Sequence, residues 1–222
     1  MTGESESEGH AAWVRPHMDW SSIERARARL AGPAPETPAS IGGVEITRLG
    51  REFYGWWLWA RGPRIMPGPE DVNPRPLVEL LPYIRYMSWE ENDRLVFRIY
   101  GSALAAATGI DLTGTDTFGD DLVYPGKKED KARLRLLHSH PCGLLMLREL
   151  TPPSGKPVLC EFMTLPIAPG KDGKDRIIGT ITARGPIAET EADFKLSAPL
   201  TLRRATFFDI GHGVPDAPHL TV

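Results

Sequence analysis

Apolar positions recur along this chain at two spacings, and the alternation between them sets out the elements. Phe53, Trp56, Trp57 and Ala60 fall at helical spacing, flanked by Tyr54 and Leu58, and Gly62-Pro63 ends the pattern, which predicts a leading helix with a strongly apolar side. From Leu77 the chain passes Leu80, Leu81 and Pro82 to a first strand, Tyr83 to Met87. A second strand follows after a polar turn at Glu90 to Asp93. In it Leu95, Phe97 and Ile99 share one face, and Val96, Arg98 and Tyr100 the other. Ser102 to Thr108 is Ala-rich and closed by Gly109, as a short helix would be. Residues 109–124 suggest small helices or loops, and Lys127 to His138 a longer helix with Leu134 and Leu137 on one face and charges opposite. Gly143 to Leu150, Val158 to Ile167 and Arg176 to Arg184 are three further strands. Turn residues at Thr151 to Gly155 and Pro169 to Gly173 join them as successive hairpins.

Two strands, a helical middle and three strands make an α+β domain, a five-stranded antiparallel sheet with helices packed on one face, which is the order of a PAS-like fold. The divisions expected are a flexible segment 1–44, the domain proper at 45–186, and a C-terminal extension at 187–222, partly packed and partly flexible. Within the first, Ser21-Ser22-Ile23-Glu24 has capping-box spacing ahead of an Ala- and Arg-rich stretch, which predicts a short helix near 21–31, and Gly32 to Pro38 reads as a linker.

Several motifs in this order resemble the PAS-type family found in bacteria, mainly alphaproteobacteria, that was formerly catalogued as a domain of unknown function. The resemblance rests on Trp56-Trp57, the proline-framed Pro67 to Pro74, Leu80-Leu81-Pro82, Arg98 to Gly101 and Gly109 to Gly114, and covers roughly Thr47 to Pro186. Pro69 departs from it, standing where the family usually has an arginine. The family resemblance implies sensing or regulation by small-molecule binding, by protein–protein contact, or by both.

Composition narrows the chemistry. The hydrophobic fraction is 41%, ordinary for a globular domain, and no run approaches the roughly 20 apolar residues of a membrane helix. An acidic, polar start does not have the form of a secretory signal, so a cytoplasmic location with no membrane contact is expected. A net charge of −3 and a pI near 6.1 argue against a nucleic-acid surface. Cys142 and Cys160 lie in apolar runs and are expected to be inert core thiols. Residues 101–124 contain no cysteine, which removes the flavin-adduct motif. Haem is disfavoured because no second axial candidate accompanies His138 or His140, so the identity of any cofactor stays open.

Because PAS domains hold ligands between the sheet and its middle helices, polar residues of the strands and of the long helix's end are the binding candidates: Arg98, Tyr100, His138, Arg148, Glu161 and Arg184. Periodicity does not say which sheet face is inner, and a structural ion pair, such as Arg98 with Glu161, would account for the same residues. Asp209, His212, Asp216 and His219 are metal-ligand types in a Gly- and Pro-rich tail, where a solvated role is favoured, so no metal site is expected. Neither a Gly-x-Ser-x-Gly elbow nor a phosphate loop is present, and no catalytic residue is assigned. Trp56, Trp57 and Trp59 point in different directions around one helix, so Phe53 and the three tryptophans are candidates for an interface with a second copy or a signalling partner, or for cover by the chain's own ends. The function expected is a PAS-type sensory or regulatory protein without its own output domain and not an enzyme. The alternatives are a small enzyme using His138, His140 or Glu161 as acid or base in the same cavity, and a structural dimeric adaptor.

Overall fold

Alternating apolar residues in the five expected strands pair into one antiparallel sheet. The computed structural model describes residues 36–73, 75–120, 124–150, 157–184 and 201–222; the helix expected near 21–31 lies outside them. A short hairpin opens the described fold, β1 (Ser40–Ile41) and β2 (Val44–Glu45), followed by the leading helix α1 (Arg48–Arg61). Then come β3 (Ile84–Glu90), β4 (Arg94–Tyr100), α2 (Ser102–Thr108), α3 (Lys127–Ser139), β5 (Gly143–Leu150), β6 (Val158–Ile167), β7 (Arg176–Arg184) and β8 (Thr201–Phe208). The order in the main sheet is β4-β3-β7-β6-β5-β8. The first five are the expected strands. β8 is a sixth, paired antiparallel to β5 from Gly143↔Phe208 to Glu149↔Thr201.

Both faces of the sheet are covered. On the inner face Met87, Phe97, Leu144, Met146, Phe162 and Ile177 pack with Leu104 of α2 and Leu134 and Leu137 of α3. On the outer face Ile84, Leu145, Met163, Leu165 and Ile178 pack with Phe53, Trp57 and Ala60 of α1. The middle helices therefore share one face as expected, while the leading helix takes the other. This arrangement explains why β6 reads as a nearly continuous apolar run: its residues from Cys160 to Ile167 are buried whichever way they point.

One irregularity changes which side chains share a face. Tyr86 pairs with Ile99 but Met87 with Phe97, leaving Arg98 as the extra residue of a β-bulge. A bulge resets the alternation beyond it. Tyr100 thus joins Leu95 and Phe97 in the inner core, whereas strict alternation puts it beside Arg98.

Asp209, His212, Asp216 and His219 are exposed, as a solvated role requires, while Ile210, Ala217 and Leu220 between and beside them are buried. Val222 exchanges two backbone hydrogen bonds with Ala205, each 3.1 Å, along the open edge of β8. At the opposite edge the segment Gly114–Thr117 bonds to the backbone of Leu95 and Phe97 in β4. Each edge strand is thus partly covered, which shortens the unpaired stretch that would invite aggregation. No helix among the described residues is long and apolar enough to cross a membrane.

Candidate functional site

Four charged side chains lie buried between the inner sheet face and α3. Arg85 on β3, Arg148 on β5, and Asp130 and Arg133 on α3 are each no more than 6% exposed. Asp130 accepts from Arg133 Nη1 at 2.7 Å and from Arg148 Nη2, so one carboxylate serves two guanidinium groups. Arg133 Nε also donates to the Leu220 carbonyl at 2.7 Å, tying α3 to the C-terminal segment.

Among the described residues Arg85 has no carboxylate partner. Its Nη2 donates to Thr164 Oγ1 at 2.6 Å, and its Nε is buried without a partner, as is Nη1 of Arg148. The reach from β3 to Thr164 on β6 crosses β7 at Gly179, which pairs with Arg85 on one side and Thr164 on the other. A Cβ at Gly179 would meet the Met163 carbonyl oxygen at 2.4 Å and stand 3.2 Å from both Arg85 Nε and Thr164 Oγ1. A glycine there opens the path across the strand.

The two arginines converge over Phe162, whose ring centroid lies 5.2 Å from the Arg85 guanidinium carbon and 5.8 Å from that of Arg148. Tyr124 lies 5.9 Å from Arg148. Burial, and then the charge of Asp130, push the Tyr124 hydroxyl well above its ordinary value. Burial likewise raises Tyr100, so both phenols are neutral. Burial, followed by repulsion from Arg148, lowers Arg85 to about 10, which still leaves it charged at neutral pH.

On the outer face a second buried charge does a different job. Glu161 is fully enclosed and accepts from the Thr47 backbone N–H at 2.9 Å, Thr47 Oγ1 at 2.8 Å and Arg184 Nη1 at 2.8 Å. Thr47 in turn caps α1 by accepting from the Gly50 N–H at 3.0 Å. This network seats the start of the leading helix on the sheet.

The sequence candidates therefore separate into groups. Arg148 and Tyr100 face the inner core, with Tyr100 brought there by the bulge. Glu161 and Arg184 pair with each other under α1. Arg98 is at the sheet edge, pairing with Glu90 and Ser88 rather than Glu161. His138 ends α3 with Nε2 2.8 Å from the Arg176 carbonyl, and burial lowers its pKa, opposite to the usual effect of a helix C-terminus. Phe53 and Trp57 are fully enclosed and offer no surface to a partner, Trp57 donating to the Pro166 carbonyl at 2.9 Å. Trp56 is buried against Phe53, and Trp59 is half-buried. Both thiols are buried, which pushes them up to about 12. Asp209 accepts from the backbone N–H groups of Gly211, His212 and Gly213, closing a turn.

Arg85, Asp130, Arg133 and Tyr124 escaped the sequence reading. A signal for two of them was present: Asp130, Arg133, Leu134 and Leu137 stand at i, i+3, i+4 and i+7, so these charges lie on the core stripe of α3 and not opposite it.

Comparison with known families agrees with this architecture. The sequence model described as "PAS domain" matches residues 47–182, more than half of the chain. The chain belongs to the PAS domain family. The matched span runs from the cap of α1 to the last residues of β7, and the PAS domain's inner face is the one that carries Arg85 and Arg148. β8 and the segment up to Val222 lie beyond the match. No curated protein matches the chain. A sensory or regulatory role in general goes with membership of this family.

Proposed function

We propose that this PAS domain is a non-enzymatic cytoplasmic sensor that binds a small molecule between its inner sheet face and α2 and α3, and signals through contact with another protein or a second copy of itself. The observation that carries this reading is the pair of buried arginines with unpartnered N–H groups, Arg85 Nε and Arg148 Nη1. A buried donor left unsatisfied costs about 1–3 kcal/mol, and a ligand that satisfies it recovers that cost. Two free buried thiols fit a reducing compartment.

Signalling requires that the ligand favour one arrangement of the protein over another. α3 is the element best placed to respond, because its Asp130 is bonded to Arg148 on the sheet while its Arg133 is bonded to the C-terminal segment. A ligand that drew Arg148 away from Asp130 would loosen α3 from the sheet and alter the surface presented to a partner. Against an enzyme stands the separation of the acid–base candidates: Glu161 is locked under α1 on the outer face, and His138 is engaged with a backbone carbonyl.

Native mass spectrometry of the full chain purified from cells tests the reading. A non-covalent adduct that leaves on denaturation is expected. Bare protein alone, together with no binding from a metabolite library, would remove the sensor reading and favour a filled-core adaptor.

A further inference from the structure

The geometry points to a small organic dianion, a dicarboxylate in form, as the ligand of the inner face, held by Arg85 at one end and Arg148 at the other. This inference rests on the sensor reading and adds the chemical class. Three guanidinium groups share this buried region with one described carboxylate, Asp130. Glu161 neutralises Arg184 on the other face of the sheet, and burial keeps Tyr100 and Tyr124 protonated. Among the described residues the group thus carries two uncompensated positive charges, and an ion left buried without compensation is strongly unfavourable.

Shape supports an organic bridge over a single compact anion. Both guanidinium groups lie over the apolar ring of Phe162, 5.2 Å and 5.8 Å from its centroid, and Met146 of the adjoining strand pairs with Phe162. Each arginine retains a buried N–H without a partner. A ligand with carboxylates at its ends and a short carbon chain between would place charge on both forks and apolar atoms on the ring.

The test is calorimetric titration of the full chain with succinate and, separately, inorganic phosphate, alongside thermal melts of wild type and R85M. Binding of succinate at one site is expected, reduced by about 30-fold or more in R85M, since a charge-assisted contact is lost. At a succinate concentration about 100-fold above Kd the wild-type midpoint should rise by roughly 5 °C or more. R85M, relieved of an uncompensated buried charge, should melt at or above the unliganded wild type. The R85M comparison also removes the general stabilisation that excluded anions give any fold. Should R85M fail to fold, R85Q provides the same comparison with a neutral polar side chain.

Phosphate binding with succinate silent would replace the dicarboxylate with a phosphoryl ligand and overturn the organic bridge. Undiminished succinate binding by the variants would move the site elsewhere. A neutral adduct in the native mass spectrum with neither anion binding would overturn the dianion while keeping the sensor. Absence of any adduct and of any anion binding would remove both.

Discussion

Glu90 is held down to about 2 by Lys174, with Ser88 and Arg98 as further donors, on a side chain only 10% exposed. Its folded-state pKa lies below the unfolded value of about 4.5. The stabilisation is therefore present in full above about pH 4.5 and is lost as pH falls toward 2. An E90Q variant should melt below wild type at neutral pH, with the gap closing between about pH 4.5 and 2. A gap independent of pH would show that Glu90 acts by packing and not by charge. His138 adds an acid sensitivity of its own: burial lowers its pKa, so the fold is favoured with a neutral ring and is weakened as pH drops through and below about 6.5. An H138Q variant should flatten the loss of melting temperature between pH 7 and 5, and an unchanged slope would assign that loss to other groups.

At the scale of elements, helix propensity and seating compete at Gly50. Alanine in the interior of a helix is favoured over glycine by about 1 kcal/mol, so α1 in isolation would gain from Gly50→Ala. In the fold a Cβ there would stand 2.2 Å from Glu161 Oε1 and 2.7 Å from Ile46. Overpacking costs about 1–3 kcal/mol, and disturbing a buried carboxylate that holds Thr47 and Arg184 adds to it. Urea unfolding of G50A should therefore show a net loss of about 2 kcal/mol or more; a gain would mean that α1 does not depend on close approach to Glu161. The periodicities that predict α1 and the five strands are local, which is why they were legible in the sequence. Three features were not, each for a physical reason. The bulge at Arg98 is set by pairing to β3, which strand alternation does not encode. β8 has an alternation too weak to separate it from a tail, since four of its eight residues are polar or charged: Thr201, Arg203, Arg204 and Thr206. Glu161 and Arg148 stand in similar apolar runs, and only the layer order, with α1 on one face and α3 on the other, assigns one to anchoring a helix and the other to the candidate site.

For the molecule as a whole, the C-terminal segment closes the inner layer. Leu220 and Ala217 are part of the inner core, the Leu220 carbonyl accepts from Arg133 Nε, and Val222 pairs with Ala205 along β8. The segment that makes these contacts lies outside the span shared with the PAS family, residues 47–182, yet it covers the helix that carries Asp130 and Arg133. Removal of residues 217–222 would expose apolar surface on α3 and β8 and leave Arg133 short of one of its buried partners. Full burial of a leucine side chain contributes about 1.5–3 kcal/mol, and loss of a hydrogen bond to a buried charged group about 1.5–3 kcal/mol, so the truncated chain should lose about 3–6 kcal/mol of stability in urea. The loss should be local in origin: hydrogen exchange should accelerate first in α3 and β8, while α1 and the β3–β7 pairing, anchored on the outer face by Thr47, Glu161 and Trp57, retain protection. If α3 owes its position to this segment, truncation should also weaken any ligand that uses Arg148, because Asp130 reaches Arg148 from α3. Equal protection of α3 in the full and truncated chains would show that the sheet alone holds the helix, and would leave the segment with only the role of capping the edge of β8.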